Sequence, residues 1–188
     1  MVGQWEVERR FLASSEAPDS DPIHITQIYL DLCELDVDGG RLKHAVHGVI
    51  ADFGDAGGEI QKVLFEDDFA VARLRKIGNQ VICGIKSKMC KGKRREFEVL
   101  TPFNPDLLGK KIAIIEKSRC MWEGEDGLIW EIDRYARPKL DFILAEVELD
   151  RIDQEVVLPE WIIQEVTYDL AYTNSELANL TLSAGGGI

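Results

Sequence analysis

The fold is decided by the stretch Trp5-Glu6-Val7-Glu8-Arg9-Arg10-Phe11-Leu12. Successive side chains of a β-strand point to opposite faces of the sheet, so residues two apart share a face. Glu6, Glu8 and Arg10 then lie on one face. Trp5, Val7 and Phe11 lie on the other face, together with Arg9. The stretch therefore predicts a strand with one charged face and one largely apolar face.

Short alternating runs of this kind recur through most of the chain, and such runs are typical of all-β proteins. They predict eight strands, at Trp5–Leu12, His24–Leu30, Phe69–Lys76, Gln80–Ser87, Arg94–Leu100, Lys111–Arg119, Leu128–Tyr135 and Phe142–Leu149. The dipeptide Gly78-Asn79 separates two of these runs and predicts a β-hairpin.

Seven of the predicted strands carry charged residues two positions apart. The acidic residues of this set are Glu6, Glu8, Glu96, Glu98, Glu131, Asp133, Glu146 and Glu148. The basic residues are Arg10, Arg73, Arg75, Lys86, Lys88, Arg94, Lys117 and Arg119. On one strand alone, the simpler interpretation is the wet side of a half-buried sheet. The whole set disfavours that interpretation, because the faces are almost purely charged and the signs are largely segregated by strand.

A β-barrel that is closed on itself, with the charged faces inward, accommodates this pattern. Like charges that converge in a confined space need a compensating ligand, so such a lining indicates a binding site. Arginine forks match phosphate oxygens, and carboxylate sets suit Mg²⁺ or Mn²⁺. A bound metal would polarise a phosphoryl oxygen and activate water. The residues therefore indicate a site for a small-molecule triphosphate with a divalent cation.

The overall charge and hydropathy exclude other classes of protein. The net charge of −12 disfavours a protein that binds long nucleic acid through its overall field. The sequence has no apolar run of 18 or more residues and no basic-then-apolar leader, so we expect a cytoplasmic protein without a membrane segment.

The cysteines and histidines provide only weak signals of chemistry. Cys33, Cys83, Cys90 and Cys120 are scattered without a paired motif, which predicts free thiols. His44 and His47 form an HxxH motif in a glycine-rich region. A zinc pair is one interpretation of this motif, but a solvated loop is favoured because no further ligand of the usual kind lies nearby.

The rest of the chain predicts short helices around a single domain. The helices are expected after Asn104, at Pro159-Glu160-Trp161, and from Ser175 through Leu180. Residues 31–68 are rich in glycine and aspartate and read as an insertion that could hold an extra hairpin. We therefore expect one domain over residues 1–182, followed by a flexible tail over residues 183–188.

The charged motifs resemble, in order, those of the CYTH superfamily, the triphosphate tunnel metalloenzymes. Glu6-Val7-Glu8-Arg9-Arg10 resembles the ExExK signature of that superfamily. The later motifs are Arg73-Leu74-Arg75, Ile85-Lys86-Ser87, Arg94-Arg95-Glu96-Phe97-Glu98, Glu116-Lys117-Ser118-Arg119, Trp130-Glu131-Ile132-Asp133, Ala145-Glu146-Val147-Glu148-Leu149, Pro159-Glu160-Trp161 and Gln164-Glu165-Val166-Thr167. The resemblance covers nearly the whole chain outside residues 31–68.

The resemblance implies a mainly β, α+β fold: a closed eight-stranded antiparallel β-barrel tunnel with a few short flanking helices. It implies phosphate binding by Arg73, Arg75, Lys86, Lys117 and Arg119, with Arg10 and Arg94 as further candidates. It implies metal binding by Glu6, Glu8, Glu146 and Glu148, with the acidic set completed by Glu96, Glu98, Glu131 and Asp133. A metal-activated water would be the nucleophile.

Three departures from the superfamily pattern bear on these roles. The signature lysine is Arg10, whose guanidinium is planar, bulkier and never deprotonated, so an orienting role towards the water is open. Ala171 occupies a position where the superfamily often has arginine. The long segment at residues 31–68 would cover a tunnel entrance or mediate contacts in a homodimer, and the sequence leaves both readings open.

The sequence favours hydrolysis of inorganic tripolyphosphate, because no element that would bind a base or thiamine is apparent. A class IV adenylyl cyclase, or a triphosphatase that acts on a nucleotide or on thiamine triphosphate, would keep the same fold. A non-catalytic module that binds polyphosphate or nucleotide is a third interpretation, motivated by Arg10. An inert β-sandwich with charged outer faces is the simplest alternative.

Overall fold

The computed structural model describes residues 3–90, 92–109 and 112–184. Within these ranges the protein is mainly β, with strands and two α-helices in an α+β arrangement, as predicted. The strands are β1 Gln4–Glu6, β2 Glu8–Ala13, β3 Ile23–Tyr29, β4 Leu35–Asp38, β5 Arg41–His44, β6 Gly48–Asp52, β7 Val71–Ile77, β8 Gln80–Lys86, β9 Arg94–Leu100, β10 Ala113–Glu123, β11 Ile129–Arg137, β12 Ile143–Glu148 and β13 Ile162–Glu165. The helices are α1 Gly57–Glu66 and α2 Asn174–Ala184.

Ten of the described strands form one antiparallel sheet, in the order β1-β9-β8-β7-β3-β10-β11-β12-β2-β13. The predicted strand Trp5–Leu12 is divided into β1 and β2, which are separated by Val7 alone. β1 pairs with β9 and β2 pairs with β12. One short segment therefore forms hydrogen bonds with strands near both ends of the strand order of the large sheet. The predicted hairpin is confirmed, with Ile77 paired to Gln80 and Gly78 at a φ of 56°, which glycine adopts without steric cost.

The apolar faces of the strands point away from the charged faces and are covered by other parts of the chain. Val7 and Phe11 are buried beside Trp130. Trp161 covers this cluster, with its ring centroid 5.5 Å from that of Trp130. The helix predicted at residues 159–161 is wrong, because Trp161 lies in a turn that leads directly into β13. The proline at position 159 favours the start of a helix, but burial of Trp161 and pairing of β13 with β2 stabilise a turn and a strand here instead.

The segment at residues 31–68 folds into a small antiparallel sheet, β4-β5-β6, followed by α1. Its apolar side chains, among them Leu42 and Ile60, share one core with Ile85 and Phe97 of the large sheet. The expected extra hairpin is confirmed as this three-stranded sheet, whereas α1 was not predicted. A helix that begins with two glycines has weak sequence signals, but Gly57 is required because a Cβ there would lie 2.6 Å from the backbone of Gly40.

Helix α2 packs against the large sheet through Leu177 and Ala178. It begins at Asn174, and the hydroxyl of Thr173, rather than that of Ser175, accepts a hydrogen bond from the backbone N–H of Glu176 at 3.4 Å. The helix expected after Asn104 is a short 3-10 helix, Pro105–Leu108. The predicted tail at residues 183–188 begins inside α2, and residues 185–188 lie outside the described residues. Neither α1 nor α2 is long and apolar enough to cross a membrane.

The four cysteines are free, as predicted, with Cys83 and Cys120 buried. The solvated-loop interpretation is wrong for His44, which is only 6% exposed. Its Nε2 lies 3.0 Å from a carboxylate oxygen of Glu34, and its Nδ1 accepts a hydrogen bond from the backbone N–H of Val46. Both ring nitrogens of His44 therefore have partners from the protein.

Candidate functional site

The charged faces of the large sheet converge on one cavity of about 140 Å³. Among the predicted site residues, those that line it are Glu6, Glu8, Arg10, Arg73, Arg75, Lys86, Arg94, Glu96, Glu98, Arg119, Glu131, Glu146 and Glu148. Lys117 and Asp133 lie behind this wall, and both side chains are inaccessible to solvent. Lys88 lies outside this cavity, with its Nζ 4.2 Å from the ring centroid of Phe69.

The strand register places several bases opposite acids across the sheet, although Glu148 faces Glu8 and Glu131 faces Glu146. Arg10 of β2 faces Glu146 of β12, and Lys86 of β8 faces Glu96 of β9. Opposite charges in such cross-strand positions stabilise the pairing, whereas like charges there would oppose it. The basic strands β7 and β8 are neighbours in the sheet, as are the acidic strands β11 and β12, so the cavity has basic and acidic sides that meet at these opposite-charge pairs.

One group of ion pairs is centred on the N-terminal strands. Nζ of Lys86 donates to Oε1 of Glu6 at 2.8 Å, and Nε of Arg94 donates to Oε2 of the same carboxylate at 2.5 Å. Arg10 donates to Glu8 and to Glu146, both at 2.7 Å. Each of these carboxylates therefore already accepts hydrogen bonds from at least two protein cations.

Arg119 is the centre of a second group. Its Nε and Nη2 donate to the two carboxylate oxygens of Asp133 at 2.6 and 2.5 Å, and Nη2 also contacts Glu146 at 3.2 Å. Glu131 is a further partner of Arg119. Nζ of Lys117 donates to Asp133 at 2.5 Å. Lys117 therefore does not contact the cavity itself; it binds Asp133, which in turn binds Arg119 of the cavity lining.

A third group has unused hydrogen-bonding capacity. Nη2 of Arg73 donates to Glu96 and Glu98 at 3.2 Å, and Nη2 of Arg75 donates to Glu98 at 2.7 Å. The Nε atoms of Arg73 and Arg75 are buried without a hydrogen-bond partner among the described residues. A buried donor without a partner is costly, so these two arginines of the cavity lining have hydrogen-bonding capacity that an acceptor ligand could use.

Several residues that line the cavity were not predicted from the sequence. Gln27 and Tyr29 of β3 point into it, and the hydroxyl of Tyr29 donates to Oε1 of Gln27 at 3.0 Å. Burial raises the pKa of Tyr29 to about 12. Their i, i+2 spacing matches the pattern of the charged strands, but the residues are uncharged and so gave no signal. Thr173, Asn174 and Ser175 complete the lining from the start of α2.

The pKa values in the cavity separate the carboxylates into two kinds. Burial alone would raise the pKa of Glu146, but the positive charges of Arg10, Lys117 and Arg119 outweigh it and hold the pKa well below its usual range. Burial would raise the pKa of Glu6 in the same way, but the positive charges of Lys86 and Arg94 outweigh it and lower this pKa. At the rim, partial burial and the negative charge of Glu6 raise the pKa of Glu148.

These lowered values predict a loss of stability in acid. A carboxylate with a folded pKa below its unfolded value of 4.5 contributes stability above about pH 4.5, and that contribution is lost as the pH falls toward the folded pKa. We expect the Tm to fall steadily below about pH 4.5. Glu146→Gln should lower the Tm at neutral pH and flatten the acid limb, as measured by circular dichroism. The exposed control Glu125→Gln should follow the wild type, and parallel acid limbs for Glu146→Gln and wild type would contradict the assignment.

The donor chemistry of the cavity fits a hard divalent cation. Its acidic lining consists of carboxylates alone, which are the ligands that Mg²⁺ and Mn²⁺ prefer. Among the described residues, no three acidic, histidine or cysteine side chains are already gathered around one point. Glu148 forms no ion pair within those residues. Burial, and after it the negative charges of Glu6 and Glu8, raise the pKa of Glu148, so a cation beside it would relieve the repulsion.

Comparison with known proteins gives two significant relatives. No family model matches the chain. An inorganic triphosphatase of Acetivibrio thermocellus is 30% identical over 120 residues, which cover 61% of this chain and 75% of the relative. An inorganic triphosphatase of Nitrosomonas europaea is 32% identical over 114 residues, which cover 56% of this chain and 73% of the relative.

A solved structure agrees on the fold. The crystal structure of an inorganic triphosphatase matches with a TM-score of 0.54 and 24% identity, over 92% of this chain and 93% of that chain. The two relatives are at least 30% identical to this chain, and the matches cover about three quarters of each relative. These values agree with the ordered motifs of the sequence. The chain belongs to the inorganic triphosphatases of the CYTH superfamily, the triphosphate tunnel metalloenzymes.

Proposed function

We propose that the protein hydrolyses a triphosphate, with inorganic tripolyphosphate as the substrate, in the charged cavity. The observation that carries the proposal is the pair of buried Nε donors of Arg73 and Arg75, which have no partner among the described residues, in a cavity that six basic and seven acidic side chains line. These donors call for an added acceptor with several oxygens. The names of the two relatives support a triphosphate as that acceptor.

We propose that the large sheet closes into an eight-stranded tunnel. Its strands would be β3, β7, β8, β9, β10, β11, β12 and the combined β1–β2 segment. The support is that Glu6 pairs with Arg94 of β9 while Glu8, two residues later, pairs with Glu148 of β12. A strand bonded on both sides leaves no free edge between β9 and β12, which is the condition for closure.

Within the cavity, the basic residues would bind the phosphates and the acidic residues would hold the metal. The proposed phosphate ligands are Arg10, Arg73, Arg75, Lys86, Arg94 and Arg119. The proposed metal ligands are Glu6, Glu8, Glu146 and Glu148, with Glu96, Glu98 and Glu131 as the remaining acids. Lys117 and Asp133, predicted as ligands, would instead act by holding Arg119 in place, because both are inaccessible from the cavity.

The ion pairs suggest how the site changes when it is filled. Phosphate oxygens would compete with Glu6 and Glu8 for Lys86 and Arg94, and the released carboxylates would become free to bind a cation. When bound, Mg²⁺ or Mn²⁺ supplies charge neutralisation of the phosphates and activation of water. The protein's own contribution is to align the phosphates with fixed guanidinium groups, which need no reorganisation during the reaction.

The organisation of the chain is proposed on the same basis. We retain a single domain over residues 1–182, with residues 31–68 as an insertion that shares a core with the large sheet. A cytoplasmic protein that binds a small-molecule triphosphate, and neither membranes nor long nucleic acid, remains a prediction, as does a homodimer. The net charge of −12 supports the exclusion of long nucleic acid.

The direct test is phosphate release from tripolyphosphate by the purified chain. We expect release with Mg²⁺ or Mn²⁺, and a fall to the metal-only blank after EDTA. Ligand at about 100 times its Kd adds roughly 2.7 kcal/mol to the stability, so Tm measurements on the same samples report binding separately. Cyclic AMP formed from ATP would favour the cyclase. Tight binding without hydrolysis would favour the binding module, and gain of activity in Arg10→Lys would strengthen that reading.

A further inference from the structure

Strand β1 carries Glu6 into the charged cavity, although it is the shortest strand of the large sheet. It consists of three residues, and within the described residues its only partner strand is β9. A strand this short forms few backbone hydrogen bonds, so we expect it to open locally unless its outer face is held. The position of Glu6 therefore depends on the contacts that the outer face of β1 makes.

The outer face of β1 lies on two side chains of β9. Trp5 stands opposite Arg95 in the strand register, and the guanidinium carbon of Arg95 lies 5.4 Å from the Trp5 ring centroid. The same carbon lies 5.3 Å from the ring centroid of Phe97. Gly3, which precedes β1, lies so close to the Phe97 ring that a Cβ on this glycine would be 2.2 Å from it. Arg95 and Phe97 thus form the surface that β1 contacts.

The insertion at residues 31–68 holds both of these side chains. Glu59, in the first turn of α1, forms an ion pair with Arg95. In the part of the chain that the structure describes, this is the only ion pair between the insertion and the large sheet. Ile60, the next residue of α1, is fully buried in the core that also contains Phe97. The insertion therefore contacts, from outside the sheet, the two side chains on which β1 lies.

We propose that the insertion supports β1, and that Glu59 and Arg95 are positioning residues for Glu6. This inference rests on the proposed function of the charged cavity, in which Glu6 is a metal ligand. The role differs from the two that the sequence left open for the insertion, a cover for the tunnel entrance and a dimer contact. Without the support, β1 would leave β9 more often, and Glu6 would be displaced in the opened state. The apparent affinity for the divalent cation would then fall with the population of the closed state.

Hydrogen exchange of the peptide that contains β1 tests the support without any reaction. Arg95→Ala should raise the exchange rate at residues 4–6 about fivefold or more, because an ion pair and two cation–π contacts are lost. Glu59→Ala removes the ion pair alone, so we expect a rise of about two- to fivefold. Asp38→Ala is the matched control, since it removes another exposed ion pair of the insertion, with Lys43, and should leave this rate at the wild-type value.

Activation of tripolyphosphate hydrolysis by Mn²⁺ tests the positioning role. In Arg95→Ala, the Mn²⁺ concentration for half-maximal activity should rise at least about threefold, with kcat at saturating Mn²⁺ within about twofold of wild type. Arg95→Lys should recover part of this shift, because it keeps the positive charge.

The inference is overturned if hydrogen exchange in β1 is unchanged in Arg95→Ala and Glu59→Ala. It is also overturned if Arg95→Ala lowers kcat while the Mn²⁺ requirement stays at the wild-type value. If the wild type releases no phosphate from tripolyphosphate, the proposed function fails. The exchange rates then decide the support of β1 alone: faster exchange in the variants supports it, and unchanged exchange overturns it.

Discussion

Arg119→Ala is expected to lower kcat/KM for tripolyphosphate by about 100- to 1,000-fold, the usual effect of removing one preorganised charged or hydrogen-bonding group. Arg119 lines the cavity and contacts Asp133, Glu131 and Glu146. Its loss removes a guanidinium group that can bind phosphate. It also leaves the negative charges of Glu131, Asp133 and Glu146 without the positive charge that neutralises them. Those carboxylates would then repel the substrate, so both binding and the chemical step should suffer.

The measurement is steady-state phosphate release, with Tm recorded to show that the variant is folded. Arg119→Lys should recover part of the activity, because the charge remains but the bidentate fork does not. Arg137→Ala is the control on the neighbouring strand, since the Arg137 guanidinium is 49% exposed and lies 3.7 Å from Glu116. Activity of folded Arg119→Ala within about threefold of wild type would contradict the proposed site.

Asp133→Ala is expected to lower the free energy of unfolding by about 3–5 kcal/mol, because it leaves a buried charge without its partner. Asp133 and Lys117 are both fully buried, and their side chains meet at 2.5 Å. Burial and the neighbouring Arg119 already lower the pKa of Lys117 to about 8, against the opposing effect of Asp133. Without Asp133, the pKa of Lys117 should fall further.

The sign of the pH dependence follows from this shift. Between the folded pKa and the unfolded value of 10.5, the unfolded state binds more protons, so stability rises with pH. The deficit of Asp133→Ala relative to the wild type should therefore be larger at pH 7 than at pH 9.5, as measured by urea unfolding. The double variant Lys117→Met with Asp133→Leu should recover much of the loss, since an apolar pair can replace a buried ion pair. Equal deficits at both pH values would contradict the pairing.

The sequence predicts most of the large sheet, because alternation is a local property that the fold preserves. The charged faces of Arg73 and Arg75, or of Glu146 and Glu148, could be assigned without any knowledge of neighbouring strands. Alternation identifies a face but not a position along the cavity. Lys117 and Arg119 therefore looked equivalent, although only Arg119 reaches the cavity.

The features that were missed depend on contacts between distant parts of the chain. A second cavity brings together Phe69, Met89 and Tyr168, and no local pattern marks them as neighbours. Trp161 lies in a turn because it packs on Trp130, and this contact is invisible in the local signal that favoured a helix. The ion pairs depend likewise on register, which is fixed only when the strands meet.

The pairing of β2 with β12 also constrains the order of events during synthesis. Arg10 of β2 and Glu146 of β12 are 136 residues apart in the sequence. At a synthesis rate of about 5–20 residues per second, β12 is made roughly 7–27 seconds after β2. Until then, the edge of β2 that pairs with β12 in the folded protein has no partner from β12. Its alternating glutamates and arginine resist pairing with another chain, as charged residues do on the edge strands of finished proteins. We therefore expect the residues that line the mature cavity to disfavour aggregation of the unfinished chain as well.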